Sequence, residues 1–295
     1  MIDFFKKNVL LKNYTTFRIG GPAKYFFKAK TKEDLIKAIQ AAKKLNLPFF
    51  ILGEGSNILF SDKGFKGLVI KIQSSKIENK ETENKNKIIY VEAGVKLSHL
   101  VKLSLKNSLT GLEWAAGIPG TVGGAIRGNT GAFGGSMSDI VRSVEVLHLP
   151  ESEIKNYELK NCKFSYKENI FKKNKNLIIL SCILELKKGD KKEIEEKIKY
   201  FLDYREKNHP LEFFSAGCIF KNPKKKSAGE LIEKCGLKGK EIGDARISEK
   251  HANFIVNLGK AHSEDVLKLI NLIKKEVKKK FGIELKEEIY FIKSY

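Results

Sequence analysis

The sequence predicts an α+β protein built in three segments, and three observations carry that expectation. Short apolar runs with strand character alternate with amphipathic helix patterns along the chain. Two glycine-dense turns interrupt them, at 53–57 and 117–125. A His209-Pro210 pair ends a long helix pattern, because the residue before a proline is pushed out of helical geometry. The expected segments are 1–72, 73–208 and 209–295, the last an α/β unit. With 295 residues and 42% hydrophobic content the chain can bury more than one core.

Taken in order, 24–28 reads as a short strand. Thr31 is a helix cap with Glu33 and Asp34 in the first turn, and Leu35, Ala38, Ile39, Ala42 and Leu45 follow at helical spacing. Strands are expected at 49–52 and 68–72. The charged, Asn-rich stretch 78–87 reads as a surface hairpin or loop. A strand at 88–93, a helix at 97–107, a long Gly-rich segment at 111–135 and strands at 141–149 and 177–186 complete the second segment. The 191–208 helix carries Ile194, Ile198, Phe201 and Leu202 as its apolar stripe. Beyond it come a helix at 228–235 stopped by Gly236, strands near Ile247 and at 254–257, and a helix at 263–281 ending at Gly282. A last strand is expected at 286–292.

Composition removes several function classes. No run of 18 apolar residues occurs, and the first 14 residues alternate apolar and basic pieces without a signal-type core, so no membrane partner and a cytoplasmic location are expected. The four cysteines have neither CxxC nor zinc spacing, so reduced thiols and no metal are expected. The net charge of +21 raises a nucleic-acid reading. However, 51 of the 56 basic residues are lysines spread along the chain and often beside glutamate. That is a solvated surface rather than a binding stripe, and no nucleic-acid partner is expected.

No GxGxxG, GxxxxGK[ST], GxSxG or HExxH motif is present. The first turn, Gly53-Glu54-Gly55-Ser56-Asn57, follows a strand and can expose backbone N–H groups to an anion, although a plain turn has the same composition. The second run, Gly117-Ile118-Pro119-Gly120-Thr121-Val122-Gly123-Gly124-Ala125, keeps side-chain bulk off the backbone over nine positions. It reads either as a tight packed crossing or as a backbone cradle for a pyrophosphate or flat ring. Arg18, Arg127 and Arg205 persist in a lysine-biased chain, which suggests bidentate contacts to phosphate or carboxylate, with structural ion pairs as the other reading.

Several motifs then occur in one order: Thr15–Ala23, the 53–57 turn, Gly117–Ala125 with Asn129–Gly134, Ser215-Ala216-Gly217-Cys218-Ile219-Phe220-Lys221-Asn222-Pro223, His251-Ala252-Asn253-Phe254 and Glu288-Ile289. Their joint occurrence resembles the UDP-N-acetylenolpyruvoylglucosamine reductase (MurB) family across nearly the whole chain. The resemblance implies a two-subdomain FAD-binding fold of the vanillyl-alcohol-oxidase (PCMH) type, followed by the α/β substrate domain with its last strand returning to the active site. It implies NADPH-dependent, FAD-mediated reduction of UDP-N-acetylglucosamine enolpyruvate to UDP-N-acetylmuramate, with a UDP-sugar as substrate and a monomeric enzyme. Flavin contacts are implied for Gly53, Glu54, Gly55, Ser56, Asn57, Gly117, Ile118, Pro119, Gly120, Thr121, Gly123, Gly124, Ala125 and Asn129. Residues 53–59 contain no His or Cys, so the flavin is expected to be non-covalent. The short interval between Lys167 and Cys218 resembles the subclass without a substrate-closing tyrosine loop.

Three catalytic residues follow from the resemblance. Cys218 stands where the family has a Ser, or in some members a Cys, that protonates the enolic intermediate. A thiol, with an ordinary pKa of about 8.5, is a far stronger acid than an alkyl hydroxyl. Glu288 matches a C-terminal glutamate near the substrate carboxylate. Lys167 stands where the family usually has Arg, and a lysine supplies the charge without the planar fork. Tyr290 likewise replaces a frequent Arg. Tyr166, Arg205, Lys221 and Asn222 are the expected substrate contacts. Another FAD oxidoreductase of the same fold is the alternative within enzymes.

Overall fold

The computed structural model describes residues 4–80, 86–149, 151–224 and 226–294. Internal contacts divide the chain into two compact units. One unit holds the chain up to Phe27, Ala42–Val69 and everything from Arg205 onward; the other holds Lys28–Ala41 and Ile70–Tyr204. Mixed helices and strands throughout make this the α+β class expected.

The second unit is organised by one six-stranded sheet. Its central strand, Leu177–Lys188, pairs antiparallel with Val141–His148 on one side and Asn86–Glu92 on the other. Seven of its first ten residues are aliphatic and most are buried, the pattern of a strand covered on both faces. Ile89, Val91, Val144, Val146, Cys182 and Leu184 are fully or almost fully inaccessible and join Leu97, Leu100 and Val101 of the Leu97–Lys106 helix in one core. Glu153–Glu158 forms the edge strand with five exposed residues of six. Ile77–Lys80 pairs antiparallel with the Asn86–Glu92 strand, as the 78–87 hairpin reading requires; residues 81–85 lie outside the described residues.

The first unit contains a four-stranded sheet ordered Lys6–Leu10, Pro22–Ala29, Phe65–Ile72, Phe49–Leu52 and an antiparallel one ordered Phe214–Cys218, Phe254–Asn257, Ala245–Ile247, Glu241–Ile242. Its larger core gathers Phe17, Ile19 and Leu59 with Ile219, Phe220, Ile255 and the buried face of the Ser263–Phe281 helix. That helix starts where expected because Asp62 accepts from both the N–H and the hydroxyl of Ser263, each at 2.7 Å. Gly282, with φ +67°, ends it in a left-handed cap.

Three sequence expectations are corrected and one strand was not expected. The Gly-rich segment is not continuous loop: Val122–Gly128 forms a helix capped by the Thr121 hydroxyl. The closing strand is only Tyr290–Ile292, paired parallel with Ile58–Phe60, so Glu288 lies before it. Leu202 is 44% exposed, and Phe201 leaves the apolar stripe to stack on Phe133 at 4.3 Å. The exposed Lys6–Leu10 strand had no alternation by which to be seen.

Candidate active site

In the first unit, hydrogen bonds to main-chain carbonyls bring three expected site segments together. The Asn57 side-chain amide donates to the Glu288 carbonyl at 3.1 Å, and the Tyr290 N–H donates to the Asn57 carbonyl at 3.1 Å. The Glu288 N–H in turn donates to the carbonyl of Ile219, next to Cys218, at 2.7 Å. The 53–57 turn, the segment of Cys218 and Glu288 are therefore tied by two main-chain hydrogen bonds and one from the Asn57 side chain.

Glycine makes two of those placements possible. Gly55 has φ +65°, and a Cβ there would lie 2.3 Å from the Tyr14 carbonyl oxygen. Only a residue without a side chain lets the turn approach the 14–16 segment so closely. Gly217 has φ +75° with nothing within 4 Å of an added Cβ, so there the requirement is conformational rather than spatial. It sits in the register shift between Ser215↔Val256 and Cys218↔Phe254, a bulge that re-aims the half-buried Cys218 side chain. Gly53, Glu54, Ser56 and Asn57 are half-buried in the same turn.

Asn253, to which the sequence reading assigned no role, clamps the next residues. Its amide accepts from the Phe220 N–H at 2.9 Å and donates to the Phe220 carbonyl at 2.8 Å, while its own carbonyl takes the Ile219 N–H at 2.8 Å. The quoted His251–Phe254 motif was the available signal. Lys221 is half-buried with its N–H on the Lys286 carbonyl. The exposed Asn222 accepts the Ala228 N–H at 2.9 Å, which seats the start of the Ala228–Lys234 helix.

Arg205 lies in the last turn of the Lys191–Asn208 helix and is only 8% exposed. Burial pulls its guanidinium below the usual range, and negative charge on Cys218 pulls the other way. His209 and His251 stand edge-on at 5.5 Å beside Phe254. Burial, then His251 and Arg205, push the His209 imidazole down to about 4; burial lowers His251 too.

The second unit holds the other expected residues. The run from 117 to 124 is open at Gly117, Pro119 and Gly124 and half-open at Ile118, Gly120 and Gly123. Its donors are partly used: the N–H groups of Val122, Gly123 and Gly124 go to the Val95 carbonyl, the Ala93 carbonyl and the Thr121 hydroxyl. Gly123 is small for packing, since a Cβ would come within 2.7 Å of that of Ala93, and Ala125 faces the core at 4% exposure. Thr121 is likewise buried as a helix cap. A flavin nucleotide needs backbone it can approach without side-chain obstruction, and the 117–124 strip provides that. It fits the group by shape, not through those three amides.

Asn129 and Asn169 build the neighbouring turn. Asn129, left-handed at φ 40° and 7% exposed, ends the Val122–Gly128 helix. Its amide donates to the Ser165 carbonyl at 2.9 Å and accepts the Ser138 N–H at 3.1 Å. Asn169 donates to the Ile126 carbonyl at 2.7 Å and takes the Lys172 N–H at 3.0 Å. Between these anchors Ser165 and Glu168 close a turn with Lys167 at φ +56° and Tyr166 59% exposed. Lys172 holds the Lys167 carbonyl at 2.8 Å. Arg18 and Arg127 make structural contacts, to the Asn13 and Phe171 carbonyls respectively.

Cys162 and Cys182 are buried, and burial pushes the Cys162 thiol up to about 12 and Cys182 higher. Among the described residues no group of three or more His, Cys, Asp or Glu side chains is placed to hold a metal, and no helix is long and apolar enough to cross a membrane.

Residues 23–157 match the family profile of an FAD binding domain, and residues 209–292 match that of the UDP-N-acetylenolpyruvoylglucosamine reductase C-terminal domain. Proteins named UDP-N-acetylenolpyruvoylglucosamine reductase are similar at full length. That of Caldanaerobacter subterraneus subsp. tengcongensis is 44% identical over 97% of this chain and 92% of its own; that of Clostridium novyi is 41% identical over the same shares. The crystal structure of the Thermus caldophilus reductase superposes with a TM-score of 0.82 at 35% identity, covering 98% of this chain and 99% of its own. An FAD-type first part, a reductase-type last part and full-length agreement with several reductases leave one assignment: the chain belongs to the UDP-N-acetylenolpyruvoylglucosamine reductase (MurB) family.

Proposed function

We propose that Cys218, Lys167 and Glu288 carry the chemistry of this enzyme, an FAD-dependent oxidoreductase that reduces UDP-N-acetylglucosamine enolpyruvate to UDP-N-acetylmuramate in peptidoglycan precursor synthesis. The observation that supports the residue roles most is the chain of bonds from Asn57 through Glu288 to Ile219, which fixes the acid-bearing segment beside a glycine turn. FAD, when bound, would supply the hydride chemistry between NADPH and the vinyl carbon of the substrate.

The protein's own residues handle charge and proton. Lys167, held in a strained turn, offers its ammonium to the charge that grows on the substrate carboxylate and enolate. Glu288, half-buried, orients that end of the substrate. Cys218 holds its proton on Sγ and delivers it to the carbon bearing the carboxylate. Gly53, Glu54, Gly55, Ser56 and Asn57 with the open 117–124 backbone hold the cofactor. Asn129 acts indirectly, through the turn that carries Tyr166 and Lys167. Tyr166, Lys221 and Asn222 contact the UDP-sugar. The enzyme works as a cytoplasmic monomer with no nucleic-acid partner.

The test separates this enzyme from other flavin oxidases. Purified protein should be yellow, bleach with NADPH, and recolour faster with the enolpyruvyl nucleotide than with oxygen alone. Recolouring by oxygen without any effect of the nucleotide would favour the oxidase alternative.

A further inference from the structure

We infer that Phe133 is a positioning residue for Lys167: its ring latches the 131–136 hairpin onto the Lys191–Asn208 helix, and that latch sets where the turn bearing Tyr166 and Lys167 stands. The inference deepens the reading of Lys167 as the group that meets charge on the substrate, and rests on it.

The residue at the hairpin tip is unusual for what it builds. Gly131 pairs with Ser136 and Ala132 with Gly135, so Phe133 and Gly134 are the two turn residues. Both have positive φ, +51° and +83°, as a type I′ turn demands. Asparagine, aspartate or glycine normally fills the first of those positions, and a phenylalanine there is strained. Such strain persists only where surrounding contacts enforce it. Here the Phe133 ring stacks on Phe201 at 4.3 Å and 15°, and meets Tyr204 edge-on at 5.2 Å. Phe201 and Tyr204 are i, i+3 neighbours on one helix face. Phe133 is still 39% exposed, so burial alone does not account for an aromatic ring at this position.

The hairpin needs this anchor. Its strands are two residues each and pair only with one another. A lone two-stranded hairpin is marginal in water. Its second strand rests on Trp114, whose indole occupies the place that a Cβ on Gly135 would take. Its tip is held through Phe133.

The other end of the hairpin leads to Lys167. The Met137 N–H donates to the Thr130 carbonyl at 3.0 Å, and the Ser136 and Ser138 hydroxyls share a hydrogen bond at 2.8 Å. The Ser138 N–H donates to the Asn129 amide oxygen at 3.1 Å, and the Asn129 amide nitrogen donates to the Ser165 carbonyl at 2.9 Å. A tip that leaves the helix therefore shifts Ser138, and with it the amide that holds the Lys167 turn. Lys167 depends on that backbone, because an ammonium is a point charge on a flexible stem with no planar fork to fix its direction.

The test uses Phe133→Asn, which removes the ring while supplying a residue that a type I′ turn favours. A merely structural Phe133 would leave this variant with parental kinetics. In flavin-loaded protein, bleaching by NADPH should keep its parental rate, whereas recolouring by saturating enolpyruvyl nucleotide should slow roughly tenfold. Phe133→Tyr, which keeps the stack, should restore the rate. Phe201→Ala attacks the latch from the helix side: it should slow the same half-reaction, and adding Phe133→Asn should slow it no further. Parental recolouring in Phe133→Asn, or effects of the two changes that multiply, would overturn the latch. If Phe133→Asn does not take up flavin, Phe201→Ala decides alone, and parental recolouring there would overturn it. Undiminished recolouring in Lys167→Ala would instead remove the charge role of Lys167, so the two failures are distinct.

Discussion

The two units solve the same problem, fixing a proposed catalytic residue on an irregular segment, by opposite means. In the first unit the placement depends on missing side chains: Gly55 lets the 53–57 turn lie against Tyr14, and Gly217 bends the strand that ends in Cys218. In the second unit it depends on added ones: Asn129 and Asn169 hold the ends of the turn that bears Lys167. At Gly55 any added volume collides and at Gly217 an added Cβ is strained, whereas an amide strut fails by losing hydrogen bonds. The two kinds of site should therefore break differently.

The sharpest break is expected at Gly55. Gly55→Ala combines left-handed strain with a Cβ 2.3 Å from a carbonyl oxygen, and should cost about 3–5 kcal/mol of stability and release flavin. Gly217→Ala meets no atom within 4 Å and should cost only about 1–2 kcal/mol. Chemical denaturation of both variants measures the gap; equal losses would remove the distinction between spatial and conformational need.

Asn129→Ala leaves the Ser165 carbonyl and the Ser138 N–H without their amide partner. A loss of about 1–3 kcal/mol is expected, together with slower product formation at unchanged flavin content, as the Lys167 turn loosens. Full activity in that variant would show the turn to be held by other contacts.

The smallest effect concerns pH. The folded His209 imidazole titrates near 4, against 6.5 when unperturbed. Between those values the unfolded chain binds a proton that the folded chain refuses, so stability is lost as pH falls from 6.5 towards 4 and is level above that window. Because the ring is only partly buried, about 1 kcal/mol is expected after solvent screening. His209→Gln should flatten the slope measured by thermal unfolding across that range. An identical slope would place its origin in other groups.

The same contrast explains what could be read from the sequence. The helices Lys32–Lys44, Lys191–Asn208 and Ser263–Phe281 carry acids in the first turn, bases in the last turn and an apolar period, and all were legible. The Val122–Gly128 helix was not, because three glycines hide its period and its start signal is a single threonine hydroxyl. The Glu153–Glu158 strand is mostly polar, with a single apolar or aromatic residue on each face, and is defined by its neighbour. In the site, glycine-dense turns announce themselves in sequence. Asn129 entered as a supposed flavin contact, and Asn169 did not enter at all, because an amide strut is recognised only through partners more than 35 residues away in sequence. Arg205 stands out in sequence by its residue type, yet its burial exists only in the fold.

The role of the thiol is tested most directly by following flavin absorbance in Cys218→Ala. With NADPH the variant should bleach at nearly the rate of the parent protein. On adding the enolpyruvyl nucleotide, formation of UDP-N-acetylmuramate should fall by about 10²–10⁴-fold. Product formation at the parental rate would contradict the assignment of Cys218 as the proton donor.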